Sequence, residues 1–565
     1  MQASLKDPAN QTSPSTKIFG CLLFFLTLVL LFWRVHLGVD LTDESLYVAL
    51  PFSFDLGHKV FIHESTLYQG FGLLLQPLTK LFRWAAGGSE GSFLFFRYLY
   101  FLLSALTGWH LSRLLRNWLP HNEAWMVAAT TLMVVPFNIA SLSYNTLPQF
   151  ALANSLILVL HPAQKAWCYF GATILTGVAA MAHPVFGVML LLFPLYWWPA
   201  GANHKSRPTA IKKAILLGFL ICAMIGGAVV VAAGFDRLLE ILRYQMSFGV
   251  QGGGTSKLLP ILKKLIKTGY VAALVLLWIG WSRLRTLKSW QHWLAALILL
   301  PLLARQLIRD SMPPFSHPIT YQVALAGLVG TIFILMKTKK RPEPLSLALL
   351  WCWTGGLLLA WASSNGLYSA VAVLMPAAAL TWAQLRLWKP QGPLRLAPLL
   401  FILWLLCAQS LFAYLYRDEP IGKLSTRITH GVYEGLWTTP NKAEYIHRLQ
   451  ETFVSLPAKA ETIFIFDNLP LGYLMTDKRP ITPSLLVTAR AHYEYDRSQI
   501  SNFFTTKQTW PDVIVAVKKV VVSDQETYQF EYPADDAILS TFLMQGYLKK
   551  VEPSDCCDIY IRPGL

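Results

Sequence analysis

The chain has 565 residues, of which 54% are hydrophobic and 14% charged, a balance too apolar for a water-soluble protein of this size. Its formal charge of +17 excludes no membrane role and calls for no nucleic acid: from Arg417 onward there are 16 basic and 19 acidic residues, against 32 and 12 before it. Lys and Arg crowded beside apolar segments are what membrane topology produces.

Apolar runs near the ~20 residues that cross a bilayer begin around Ile18, Phe93, Ala124, Leu147, Cys168, Val185, Ala214, Tyr270, His292, Tyr321, Leu345, Leu367 and Ala397. They predict a mainly α, polytopic helical bundle with about thirteen transmembrane helices over residues 1–416. Lys17 precedes the first run as in a signal peptide, but the run is long and no A-x-A-like cleavage site follows, so it reads as a retained helix. With the N-terminus cytoplasmic, Arg113/Arg116, Lys165, Lys205 to Lys213, Arg283 to Lys288, Lys337 to Arg341 and Arg386 to Arg395 all fall on inward loops. That alternation predicts an extracytoplasmic C-terminal domain.

The first outer loop, between the first two runs, is long where most others are short, and long loops in compact folds tend to be functional. It holds Asp40, Asp43, Glu44, Asp55, Glu64 and Glu90. Two stretches within it, from Val39 and from Ser65, read as amphipathic segments lying along the interface. A carboxylate cluster at the membrane surface suits general acid–base or cation chemistry; the alternative is that Thr42 or Asp43 simply caps and charges a helix start. Arg97 lies just inside the second run, where an ionisable residue is functional by default. In the next outer loop Tyr144 and Asn145 are candidates for substrate contact, and His183 sits at an outer helix end.

A second anomaly is the outer stretch from Phe235 to Gly269. It breaks the positive-inside bias with Arg237, Arg243 and Lys257 among its cations, around Gly252 to Gly254. It reads either as an amphipathic helix on anionic headgroups or as a mobile clamp for a lipid phosphate. Arg305, Arg309 and His317 of the following long outer loop can face the same cavity. Near Arg417 the apolar runs stop. Residues 417–565 alternate β-rich segments starting at Thr462, Asp512, Val520 and Asp558 with helical patterns around Asn441 to Phe453 and Ala534 to Met544, predicting a small α/β domain. Asp467, Asn468, Asp477, Lys478 and Arg479 follow a strand and read either as the lining of a ligand site or, as is commoner for loop charges, as solvated groups. Five of the seven cysteines sit in apolar runs as packing residues, and adjacent Cys556 and Cys557 form no metal or redox motif.

Asp43-Glu44-x-x-Tyr47, then His63-Glu64 before a second interfacial helix, then Arg97 at the start of the next span, resemble the motif order of the GT-C superfamily of polyprenyl-phosphate-sugar glycosyltransferases. The nearest families in that likeness are the protein O-mannosyltransferases and the lipid A aminoarabinose transferases. The second motif departs from theirs: its Pro is missing, Ser65-Thr66 following in its place. The resemblance implies a sugar moved from a lipid-linked donor to a glycan, lipid or protein acceptor on the outer side, in what would be a bacterial inner membrane. It implies Asp43 as catalytic base with Glu44 beside it, and substrate contacts from Tyr47, Arg97, Tyr144, Asn145, Arg237, Arg243, Lys257, Arg305, Arg309 and His317. It further implies a divalent cation on Glu64 with His63. The rival reading is a transporter or flippase of lipid-linked glycans. Proton-coupled transport usually places acids in mid-membrane, and no acid lies within a run here.

Overall fold

In the computed structural model the described residues are 14–66, 68–162, 165–202, 208–250, 344–363, 396–413, 415–486, 494–532, 536–549 and 555–565, with a few isolated positions between 259 and 380. Helices α1 (Pro14–Arg34), α2 (Asp43–Asp55), α3 (Gln69–Ala86), α4 (Ser92–Leu115), α5 (His121–Leu132), α6 (Thr146–Val159), α7 (Ala166–Ala182), α8 (Gly187–Ala202), α9 (Pro208–Ala233), α10 (Phe235–Val250), α11 (Pro344–Ala362) and α12 (Leu396–Ala413) form the helical body. Nine of the expected apolar runs begin in or next to one of these helices; the runs from Tyr270, His292, Tyr321 and Leu367 lie outside the described residues.

The expectation of full-length spans is met unevenly. Among the described residues one helix, Thr209–Ala233, is long and apolar enough to cross a bilayer, with mean hydropathy 2.7 over a stretch that is 11% buried. Ile18–Arg34, Thr146–Val159, Ala166–Ala182, Pro184–Trp197, Ser346–Ala362 and Leu403–Ala413 are apolar but shorter. The 12-residue α5 rises only ~18 Å, well short of a ~30 Å hydrocarbon core. It packs instead between α1, α4 and α12, and nearly all of it is buried. The body also turns large apolar side chains outward, including Leu22, Phe25, Trp84, Leu195, Met224 and Val231. So much exposed hydrocarbon is a lipid-facing surface rather than a water-facing one.

The two helices of the first outer loop differ from each other. α3 is amphipathic as expected: Phe71, Leu75 and Thr79 face inward while Leu81 and Trp84 are exposed. Its inner face comes so close to α7 that a Cβ on Gly70 would sit 2.1 Å from the Met181 carbonyl oxygen, so only glycine fits there. α2 does not rest on the interface. Every residue from Glu44 to Phe54 except Leu46 is buried, because α3 covers one side of the helix and the C-terminal domain another.

That domain is a five-stranded sheet in the order β4-β3-β5-β9-β8, with β1 (Thr426–Arg427) paired to β2 (Trp437–Thr438) and β6 (Lys519–Val521) to β7 (Thr527–Gln529) beside it. β3 (Thr462–Phe466) runs parallel to β4 (Arg479–Pro480) and β5 (Val513–Val517); β9 (Cys557–Ile561) is antiparallel to β5 and to β8 (Leu548–Lys549). The period-two alternation of strands sorts its core. Phe464, Phe466, Ile514 and Ala516 pack with Phe504 of α14 (Glu494–Lys507) and Phe542 of α15 (Ala537–Leu543). Ile463, Ile465, Val513 and Val515 join a core that includes Leu449 and Phe453 of α13 (Pro440–Val454) and continues into α2, α4 and α5. One face of the sheet therefore shares its hydrophobic core with the helical body, and the domain and the first loop lie on the same side.

Candidate functional site

Six carboxylates crowd the loop between α1 and α4, and each has partners in the structure. Asp40, 2% exposed, accepts hydrogen bonds from the Thr42 N–H and hydroxyl at 3.0 and 2.8 Å and from the Glu44 N–H at 2.8 Å. It thus satisfies donors that the first turn of α2 leaves without intrahelical partners. Glu44 forms a bidentate pair with Arg97, Nε to Oε1 at 2.7 Å and Nη2 to Oε2 at 2.6 Å. Asp55 lies 3.4 Å from Arg83 and 3.7 Å from Lys80. Glu64 accepts from the Ser65, Thr66 and Leu485 N–H groups. Glu90 accepts from the Gly431 N–H at 2.9 Å.

Asp43 meets Tyr416 and Arg417. Its side chain is 32% exposed, its Oδ2 accepts a short hydrogen bond from the Tyr416 hydroxyl, and the same oxygen lies 3.3 Å from Arg417 Nη1. Because Asp40 serves the helix start, Asp43 is not needed as a cap; the expectation that Thr42 or Asp43 caps α2 is corrected, Thr42 making no side-chain cap bond. Burial pushes the Asp43 carboxyl above the usual range, and Asp40 adds to the effect. Arg417 and the Tyr416 hydrogen bond oppose it. Arg417 Nη1 makes no hydrogen bond of its own, so its 3.3 Å approach is a charge contact with a donor left over. The Arg417 guanidinium sits 5.0 Å over the Tyr416 ring and 5.9 Å over Tyr528.

Beside Asp43 lies a tyrosine-rich wall. Tyr68 stacks on Tyr144 with ring centroids 4.1 Å apart, and Tyr47 meets Tyr144 edge-on at 5.4 Å. His183 packs 5.1 Å from Tyr68, and burial pushes its imidazole down to about 4. The loop presenting Tyr144 is fixed by Ser143, whose hydroxyl accepts the Asn145 and Thr146 N–H groups at 3.1 Å. The phenols of Tyr47 and Tyr144 are held well above their ordinary range chiefly by burial, Tyr47 also by Tyr144 and Asp43, and Tyr144 also by Tyr68 and Asp43.

The remaining expected residues are placed differently. Arg97 directs Nη1 to the Val35 and Leu37 carbonyls at 2.9 and 3.2 Å and Nη2 to Gly38 at 2.9 Å. With Glu44 this uses all five of its N–H groups, and both residues are buried. The pair therefore stands as a structural clamp, with no donor left for a phosphate. Arg237 donates to the Glu64 carbonyl and the Ser65 hydroxyl and pairs with Glu240. Arg243, on α10, is exposed. Lys257, Arg305, Arg309 and His317 lie outside the described residues.

Glu64 and His63 do not form the expected metal site. His63 accepts the Lys59 N–H at Nδ1, both Glu64 oxygens are taken by backbone N–H groups, and buried His58 approaches Glu64 only to 3.5 Å. Among the described residues no three His, Cys, Asp or Glu side chains gather as ligands, so no step is assigned to a metal. Burial and the neighbouring His58 push the His63 imidazole down to about 4.

Sequence reading missed Tyr416 and Arg417. It also missed Arg34, whose guanidinium donates to the Leu411, Leu37 and Asn138 carbonyls at 3.2, 2.8 and 2.6 Å and ties α1 to α12 and to the loop before α6.

No family model matches the chain, and no curated protein matches it. Solved structures resemble it in overall shape. The archaeal oligosaccharyltransferase AglB from Archaeoglobus fulgidus, in complex with an inhibitory peptide and a dolichol-phosphate, aligns at 12% identity and a TM-score of 0.46, over 89% of this chain and 70% of that one. ArnT from Cupriavidus metallidurans, bound to undecaprenyl phosphate, aligns at 11% identity and 0.38, over 96% and 97%. At these values neither likeness assigns an activity.

Proposed function

We propose that this chain is a membrane glycosyltransferase that moves a sugar from a polyprenyl-phosphate donor to an acceptor at the outer face of the membrane, with Asp43 as general base. The observation that carries the reading is the contrast among the loop carboxylates. Asp40, Glu44 and Glu64 are buried against a helix start, an arginine and backbone N–H groups, Asp55 lies against Arg83 and Lys80, and exposed Glu90 is bound to the Gly431 N–H, while Asp43 is partly open, raised in pKa by burial and paired to an arginine that keeps a donor. A carboxylate held above its usual range is better matched to removing a proton near neutral pH. Its leaving group would be a phosphate, already a fair one, so the protein's tasks are to orient the acceptor, take its proton and stabilise the phosphate charge.

Tyr47, Tyr68 and Tyr144 offer aromatic edges and faces beside the base against which a sugar ring packs. Arg237 and Arg243 on α10, with Lys257, Arg305, Arg309 and His317, are the proposed phosphate contacts. Arg97 and Glu44 hold the loop rather than the substrate. Asp43→Asn keeps the shape of the side chain but cannot accept a proton at neutral pH. With the purified full chain in nanodiscs and a panel of polyprenyl-phosphate sugars, the variant should release polyprenyl phosphate about 10²–10⁴-fold more slowly while still binding undecaprenyl phosphate. Turnover by Asp43→Asn at the wild-type rate would sink the assignment.

A further inference from the structure

The role of the C-terminal domain is open in the reading above, and one buried lysine speaks to it. Lys442, on α13, has no exposed side-chain surface and directs its ammonium to three backbone carbonyls: Val39, Arg417 at 2.6 Å and Val522 at 2.8 Å. Its counter-ion is Asp418, equally buried, 3.8 Å away. Asp418 Oδ2 accepts the Val39 N–H at 2.7 Å and the Thr438 hydroxyl at 2.8 Å. The pair thus grips both the N–H and the carbonyl of Val39, next to Asp40, and also the carbonyl of Arg417.

Two further contacts run the same way. Tyr433 donates to the Asp40 carbonyl at 2.6 Å, and the Gly38 N–H and Trp437 N–H bond reciprocally to the Trp437 and His36 carbonyls at 2.9 Å. Arg417 has φ 53°, in the left-handed region that costs a non-glycine residue energy unless its surroundings fix it. The bond from Lys442 to the Arg417 carbonyl is such a constraint. A buried Lys–Asp pair is a poor device for stability alone, since the desolvation of two charges offsets much of their attraction. Desolvation lowers the Lys442 ammonium from its ordinary value.

We propose that Lys442 and Asp418 are positioning residues by which the C-terminal domain holds Tyr416 and Arg417 against Asp43 and so sets the ionisation of the base. The inference rests on Asp43 being that base, but its test does not. Among the described residues, the charged and titratable groups facing Asp43 are Arg417, Asp40, Tyr416, Tyr47 and Tyr144; those facing Lys442 are Asp418, Asp40, Arg417 and Asp524. Releasing the clamp removes the influence of Arg417 and leaves burial and Asp40 in place, so the carboxyl should become harder to ionise.

The infrared band of the protonated carboxyl, taken as the difference between the full chain and Asp43→Asn, titrates Asp43 without any substrate. Asp418→Leu/Lys442→Met removes both charges together and orphans neither; Thr438→Val weakens the clamp more gently, and Arg417→Ala gives the full effect for comparison. The midpoint should rise by about one pH unit in the double variant, less in Thr438→Val, and as far in Arg417→Ala. A folded double variant with an unmoved midpoint overturns the proposal, as does an unmoved Thr438→Val if the double variant does not fold. A purely structural pair would lower thermal stability and leave the midpoint where it was. Transfer by Asp43→Asn at the wild-type rate would instead defeat the base assignment and leave the titration result standing.

Discussion

Two arginine–carboxylate pairs stand one residue apart on α2 and differ in almost every physical respect. Glu44 and Arg97 are both buried, bidentate and fully hydrogen-bonded. Asp43 and Arg417 meet through one 3.3 Å contact, with 32% and 23% of their side chains exposed and a donor unspent. The first pair has exhausted its bonding capacity and can only hold the loop. The second retains capacity, which is what a reacting centre needs. Adjacent acids on one helix thus take different roles because successive side chains of the first turn point about 100° apart, one toward Arg97 of α4 and one toward Tyr416 and Arg417.

The sharpest way to break this contrast is to cut each pair in turn. Arg97→Met leaves the Glu44 carboxylate buried and unpaired and should cost about 3–5 kcal/mol of stability, read as a fall in the unfolding midpoint of the purified protein. Arg417→Ala leaves a carboxylate that water already reaches and should change the midpoint little. Equal losses in the two variants would abolish the distinction between clamp and site.

A smaller effect sharpens the active half of the comparison. Tyr416→Phe removes the hydroxyl that donates to Asp43 and nothing else. That hydrogen bond favours the ionised carboxyl, so its loss should move the acidic limb of the kcat–pH profile upward and lower kcat at neutral pH by roughly tenfold, the equivalent of ~1.4 kcal/mol. An unshifted limb with wild-type kcat would mean that Tyr416 contributes packing alone.

Much of this was legible in the chain, and the illegible part has a common cause. The density of acids in a long loop marked that loop, the motif resemblance singled out Asp43 within it, and the β-rich segments from Thr462 and Asp512 became β3 and β5. Asp40 read as one acid among several in the loop, and nothing local in the sequence singles out Arg34 or Lys442. Their actual roles come from contacts across 377 to 403 residues of sequence in the cases of Arg34 and Lys442, which no periodicity records. The chosen boundary at residue 417 cut between Tyr416 and Arg417, the two residues that hold Asp43. Composition changes there because the apolar runs end, and the contacts to Asp43 fall on that change.

The smallest expected effect concerns the stability cost of keeping Asp43 reactive. Burial raises its folded pKa above the unfolded value despite Arg417 and Tyr416, so between those two values the native state binds more protons than the unfolded chain. Stability contributed by the protonated carboxyl is therefore present below the unfolded pKa, near ~3.9, and is lost as pH rises through the folded pKa. Asn cannot ionise and escapes that loss. Asp43→Asn should then unfold at a slightly higher temperature than the wild type at neutral pH, with the difference closing as the pH falls toward 4, even though its transfer activity is gone. A variant less stable than wild type at neutral pH would show that the Arg417 contact outweighs burial. Asp43 would then belong with Glu44 on the clamp side of the comparison.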